Sequence, residues 1–204
     1  MDMGHVQRVY IVRHGETADN ASGRWQGTVD TPLNALGRQQ AARLAQYLRT
    51  QNETIEGIYT SDLARARETA EIIAQVYGHQ IVPDQRLREV HVGVFQGLTN
   101  AEIDEQYPQM RQRWRHQHDY AVLDGESRSQ VQQRMMVVWL ELVGQLSQQQ
   151  IMIVSHGVAI RMLLRGLFPD DDHSYELPNT CLTVLQRNER GWSLECAGQI
   201  AHLR

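Results

Sequence analysis

Cysteine is scarce: Cys181 and Cys196 are the only two in 204 residues, in separate late segments and without a Cys-x-x-Cys spacing. No disulfide framework can be read from them, so they are expected to be reduced core thiols of a cytoplasmic protein. Long hydrophobic runs are missing as well, and none approaches the length of a membrane-spanning helix. The segment Met1 to Arg8 lacks the apolar core of a secretory signal, so export is not expected. An excess of positive charge is also absent. A net charge of −4 excludes the broad basic field of a general nucleic-acid binder or membrane-surface protein, so any anion site must be local. There is no low-complexity segment and no interdomain linker.

What remains is ordinary in bulk, with 41% hydrophobic and 22% charged residues, and the length fits a single α/β domain over 1–204. Its most informative feature is a near-repeat. Ile11-Val12-Arg13-His14-Gly15 is echoed by Ile153-Val154-Ser155-His156-Gly157. In both cases a run of apolar residues without polar alternation leads into a His-Gly pair. Such runs are expected of parallel strands covered by helices on both faces. Ligands in such sheets bind at the carboxyl ends of the strands, where both histidines fall.

Between the two echoes, strands and helices alternate. A loop from Gly15 to Pro32 precedes a helix capped by Asn34, with Ala41, Leu44, Ala45 and Leu48 on one face. A short strand at Ile58-Tyr59 leads through Ser61-Asp62, as capping residues, into a helix with Leu63, Ala66, Ala70 and Ile73 on its inner stripe. Ile81-Val82 and Leu87 to Val90 read as two further short strands. A polar and aromatic excursion at about 96–125 follows, with one helix on each side of Pro108. From Ser129 a long helix presents Val131, Met135, Val138, Leu142 and Leu146. The second echoed strand comes next, then a helix opening after Gly157 and ending near Gly166. Cys181 to Gln186 and Trp192 to Ala197 read as a terminal hairpin turning at Asn188 to Gly191. The pattern predicts a three-layer α/β/α sandwich with a mostly parallel central sheet.

Chemistry-bearing residues gather at the predicted strand ends. Arg13-His14-Gly15-Glu16-Thr17 supplies a cation, an imidazole and a flexible backbone. Thr60-Ser61-Asp62 opens the helix that carries Arg65, while Arg67 is expected in solvent. Leu87-Arg88-Glu89 adds a carboxylate, and Ser155-His156-Gly157 opens a helix whose positive end favours an anion. Two arginines, two histidines, a helix terminus and a carboxylate suit a phosphoryl group together with an acid or base.

In this order and at these spacings, the motifs resemble the histidine phosphatase superfamily, which includes cofactor-dependent phosphoglycerate mutases and many small phosphatases. The resemblance runs from Val9 to the terminal Gly198–Leu203, almost the whole chain. It implies that His14 is the nucleophile that becomes phosphorylated. Arg13, Arg65 and His156, with Gly157 beside it, would hold the phosphoryl oxygens, and Glu89 would donate the proton. Asn20, Gln26 and Gly27 match further phosphate contacts of the family. The implied reaction needs neither metal nor cofactor. Its partner would be a small phosphorylated metabolite, and the homodimer common in the family stays open.

Two departures limit the transfer of substrate contacts. Asp19 stands where the family often has Trp, and Gly93-Val94-Phe95-Gln96-Gly97 replaces the frequent Gly-x-Trp-Glu-Gly. The mutases also carry a longer basic insertion after the acid motif, whereas here only about thirty residues lead to Gly125-Glu126-Ser127. Hydrolysis is therefore expected, with a mutase and a non-catalytic phosphate-binding scaffold as the competing readings. Within the lid-like excursion, Arg111, Trp114, Arg115 and His118 share a helical spacing. They are expected to form a solvated face anchored by Trp114 rather than to contact a leaving group. His91, two residues from Glu89, would border the pocket if the segment is a strand. His5, His79, His116 and His173 are read as ordinary polar positions.

Overall fold

The computed structural model describes residues 7–145, 150–171 and 174–204. Leu146, at the end of the expected long helix, and His5 and His173 lie outside the described residues. Six strands form one mixed sheet: β1 (Arg8–Arg13), β2 (Gly57–Thr60), β3 (Ile81–Pro83), β4 (Ile151–Ser155), β5 (Leu182–Asn188) and β6 (Gly191–Gln199). Their spatial order is β3-β2-β4-β1-β5-β6. The first four run parallel, and the terminal hairpin adds β5 and β6 antiparallel.

The apolar runs of β1 and β4 are continuous because both of their faces are covered. Tyr10, Val12, Met152 and Val154 face a core completed by Leu44, Leu48, Ala66, Ala70 and Ile73. These come from α2 (Ala35–Thr50) and α3 (Ala64–Tyr77). Val9, Ile11, Ile151 and Ile153 face the opposite core with Val131, Met135, Ile160 and Leu163, from α6 (Arg128–Gln145) and α7 (Gly157–Leu167). Complete burial of each such Val or Ile is worth about 1.5–3 kcal/mol. The three-layer α/β/α expectation is the architecture found.

Local chemistry sets the element boundaries. Asn34 caps α2, its side chain accepting from the Gly37 amide at 2.8 Å. The expected Ser61-Asp62 cap of α3 is different: Asp30, from the loop before α2, accepts from the Ala64 amide. Asp62 instead forms a bidentate pair with Arg88 at 2.6 Å. The loop after His14 contains a short helix, α1 (Ala18–Ala21), closed by a Thr17–Asn20 capping box. The excursion carries α4 (Asn100–Gln106) and α5 (Pro108–His116), one on each side of Pro108 as expected.

Leu87 to Val90 is not a strand. Gln85–Leu87 is a 3-10 turn, and the next residues are irregular. Its carbonyls are claimed by side chains instead of a ladder. Ser155 Oγ donates to Leu87 O, and Arg134 donates to the carbonyls of Arg86, Arg88 and Glu89. Backbone acceptors satisfied in this way have no need of a neighbouring strand.

Candidate active site

The sequence echo is a physical pairing. β1 and β4 are adjacent and parallel, with Ile11 opposite Ile153, Val12 opposite Val154 and Arg13 opposite Ser155. The two His-Gly pairs therefore leave the sheet side by side, and the His14 amide donates to Ser155 O at 3.0 Å. From β1 the chain passes to the α2/α3 layer, whereas from β4 it passes to the α6/α7 layer. That divergence opens a crevice at the carboxyl ends of the two strands. Across it the His14 and His156 rings lie 5.0 Å apart.

His14 is held as one tautomer. Its Nδ1 lies 2.7 Å from Gly15 O, and a carbonyl only accepts, so Nδ1 carries the proton and Nε2 presents its lone pair. Burial, reinforced by the charges of Arg65 and Arg13, holds its pKa well below the ordinary histidine value. The ring is a neutral imidazole at physiological pH. Gly15 is fixed by packing. A Cβ there would lie 2.5 Å from Gly37 O, and the Gly15 amide donates to Thr69 Oγ1 at 3.0 Å.

Arg65, on the first turn of α3, is almost fully buried. Its Nη1 and Nη2 donate to the carbonyls of Val29 and Gly27 at 2.6 and 2.7 Å. Nε faces the histidines, 3.3 Å from His14 Nε2 and 3.2 Å from His156 Nδ1. Burial pushes the Arg65 pKa down to about 10, so the guanidinium stays charged at neutral pH. Gly27 makes this docking feasible: its φ is +54°, and a Cβ would meet Val92 Cγ2 at 2.6 Å.

His156 receives Arg65 Nε–H on Nδ1, which places its own proton on Nε2. That atom is buried and has no partner among the described residues; the same holds for Arg13 Nε. Arg13 is anchored from its far side, Nη1 donating to Leu177 O at 2.6 Å. Burial, with Arg65 and His14 next in effect, also holds the His156 pKa well below the ordinary value. Two buried N–H donors without acceptors therefore sit beside a neutral imidazole lone pair. Such an arrangement is costly unless an anion completes it.

Glu89 closes the opposite side from its irregular segment. Its carboxylate accepts from the amides of Val158 at 3.1 Å and Ala159 at 3.0 Å, and from its own neighbour Val90 at 3.0 Å. The positive end of α7 therefore holds the Glu89 carboxylate. Arg13, His14, Asn20, Gln26, Gly27, Arg65 and Glu89 all line one cleft of about 160 Å³. Within its margin, Thr17 Oγ1 donates to Gln26 Oε1, and Asn179 Nδ2 donates to both Asn20 Oδ1 and His14 O. His156 and Gly157 stand just behind the lining, with the Gly157 backbone against Arg13.

Several readings change here. His91 is exposed and outside the cleft, its Nδ1 accepting from the Gly93 amide. Arg111 is buried rather than solvated: it stacks 4.7 Å from the Trp25 ring centroid and donates to Asn100. Trp114 anchors the excursion as expected, edge-on to Trp25 at 5.9 Å. Arg115 is exposed and pairs with Asp104, and His118 lies beyond the end of α5. No residue of 96–125 lines the cleft. Sequence reasoning missed the apolar wall of Trp25, Val90, Val92 and Val158, and also Asn179 and Arg134. Only Arg134 carried a signal, a charge beside the inner stripe Val131-Met135-Val138 of an amphipathic helix.

The α/β fold and the cleft at the carboxyl ends of β1 and β4 are those of a phosphatase. Residues 9–199 match the histidine phosphatase superfamily (branch 1), and the chain belongs to that superfamily. It is 38% identical to a probable phosphoglycerate mutase GpmB of Serratia proteamaculans, covering 96% of this chain and 94% of the relative. Among solved structures it is similar to Bacillus stearothermophilus YhfR, with 33% identity and a TM-score of 0.88 over 97% of this chain and 100% of the other. A mycobacterial glucosyl-3-phosphoglycerate phosphatase gives 32% identity and a TM-score of 0.81 over 93% and 98%. Phosphoserine phosphatase of Entamoeba histolytica gives 27% and 0.85 over 97% and 100%.

Proposed function

We propose that the protein hydrolyses a small phosphomonoester through a phosphohistidine formed on His14. The observation that carries this reading is the neutral His14 ring, its Nε2 unprotonated, in a cleft lined by Arg13 and Arg65, with the buried N–H groups of Arg13 Nε and His156 Nε2 left without acceptors among the described residues. In the first half-reaction Nε2 attacks phosphorus and the bond to the ester oxygen breaks. Glu89, in its acid form, protonates that leaving oxygen. In the second, the Glu89 carboxylate takes a proton from water, whose oxygen attacks the phosphohistidine. Inorganic phosphate leaves, and His14 and Glu89 return to their starting states. Arg13, Arg65 Nε and His156 stabilise charge on the equatorial oxygens throughout, so turnover is expected to persist with a chelator present.

Two features favour hydrolysis over isomerisation. The cleft is small, and its outer wall is apolar at Trp25, Val90, Val92 and Val158. Arg24, the cation at its mouth, is committed to Gly97 O and the Glu102 carboxylate. No further cation of the lining is left over to receive a second phosphate. The likeness to probable phosphoglycerate mutases supports mutase activity as the second reading. The free thiols Cys181 and Cys196 suit a reducing cytoplasmic compartment.

The test is phosphate release from a panel of phosphorylated metabolites in chelator, with 3-phosphoglycerate followed in parallel for isomerisation. Release from a preferred compound is the expected result. Isomerisation without release would replace the hydrolase reading with the mutase.

A further inference from the structure

Arg134 lies on α6, outside the cleft, yet both terminal nitrogens of its guanidinium donate to the segment that carries Glu89. Nη1 donates to Arg86 O at 2.8 Å and Arg88 O at 2.6 Å, and Nη2 donates to Glu89 O at 3.1 Å. Nε and Nη2 also form a two-pronged pair with the Glu126 carboxylate, at 2.8 and 3.0 Å. Glu126 grips the same segment farther along. Its amide donates to His91 O at 2.7 Å, and its Oε2 accepts from the His91 amide at 3.3 Å. Three carbonyls and one amide of a six-residue stretch are thus held by one ion pair. Both side chains are about one-fifth exposed, enough burial to stiffen the pair.

We infer that the Arg134–Glu126 pair is the positioning device for Glu89, fixing the carboxyl group over the ester oxygen. The inference rests on the acid role proposed above for Glu89. Because the segment forms no strand, no ladder sets its register, and its outer carbonyls depend on one guanidinium. Ser155 Oγ holds Leu87 O from the sheet side, and the α7 amides hold the carboxylate itself. Arg134 is the constraint between them. An ammonium at position 134 would keep the charge but lose the planar fork that reaches three carbonyls and a carboxylate together.

The discriminating readout is leaving-group dependence, because only a poor leaving group needs the proton. Arg134→Lys is compared with wild type and Glu89→Gln on an alkyl phosphate and on p-nitrophenyl phosphate, with thermal melting of each. Arg134→Lys should lose about 10- to 100-fold in kcat on the alkyl ester and less than about threefold on the aryl ester. Combined with Glu89→Gln it should add little, since both changes act on one proton transfer. Should Arg134→Lys lose its cooperative melting transition, Glu126→Gln provides the same comparison with the guanidinium kept.

Equal losses on both esters, or full additivity with Glu89→Gln, would overturn the positioning role while leaving the acid role standing. If Glu89→Gln itself showed no leaving-group dependence, the acid role would fall and the positioning role with it.

Discussion

At the scale of single residues, the site is organised by which nitrogen each histidine leaves free. Gly15 O accepts from His14 Nδ1–H, and Arg65 Nε–H points between His14 Nε2 and His156 Nδ1. One guanidinium thereby sets the tautomer of the second imidazole and faces the lone pair of the first. His14→Ala is expected to abolish turnover while leaving the circular dichroism spectrum unchanged. Residual activity within about tenfold of wild type would remove His14 from the nucleophile role. His14 and His156 also have depressed pKa values, from burial first and from Arg65 next. In an NMR titration their ring signals should therefore stay constant as pH falls through 6.5. A midpoint near 6.5 for His14 would contradict the desolvated site. The two histidines and Arg13 were legible because each ends or adjoins an apolar run. Arg134 showed only as a charge beside an inner stripe, because its partners are the Glu126 carboxylate and the carbonyls of a segment that is not the strand expected.

At the scale of elements, the parallel pair β1/β4 was legible because burial on both faces forces continuous apolar residues. Leu87 to Val90 shows the opposite case: its composition suits a strand, but tertiary hydrogen bonds from Ser155 and Arg134 override that preference. The short helix after Thr17 was hidden by the loop-like composition Thr-Ala-Asp-Asn-Ala-Ser, whose capping box forms only once Asn20 folds back on Thr17. The loop that positions His14 depends on backbone against backbone. Gly15 and Gly37 approach so closely that Gly15→Ala places a Cβ 2.5 Å from Gly37 O. The variant should lose about 1–3 kcal/mol of stability in urea unfolding, and turnover with it. Gly144, near the end of α6, has open space around it, and Gly144→Ala should be neutral or stabilising by about 0.5 kcal/mol. Equal effects at the two positions would show that propensity, not packing, governs Gly15.

For the whole molecule, all 20 basic residues are arginine, and the sequence contains no lysine. The forks of Arg65, Arg88 and Arg134 each bind two or more acceptors, so the cations join loops to layers as well as facing solvent. The burial of His14 and His156 as neutral rings has a consequence for global stability. Burial also lowers the His118 pKa and pushes His202 down to about 4. Below 6.5 the unfolded chain binds protons at these positions that the folded chain refuses, so stability must rise with pH through this window. It is complete above 6.5 and is lost on acidification toward the folded pKa values. Each such histidine contributes a slope of at most about 1.4 kcal/mol per pH unit. Urea unfolding at pH 8, 7, 6 and 5 should give nearly constant stability down to 7 and a clear fall by 5. His202→Gln, at a residue that does not line the cleft, should make the fall shallower. Stability that held constant from 7 to 5 would mean that the buried rings accept protons in the folded state, and His14 would then lack the unprotonated Nε2 on which the chemistry depends.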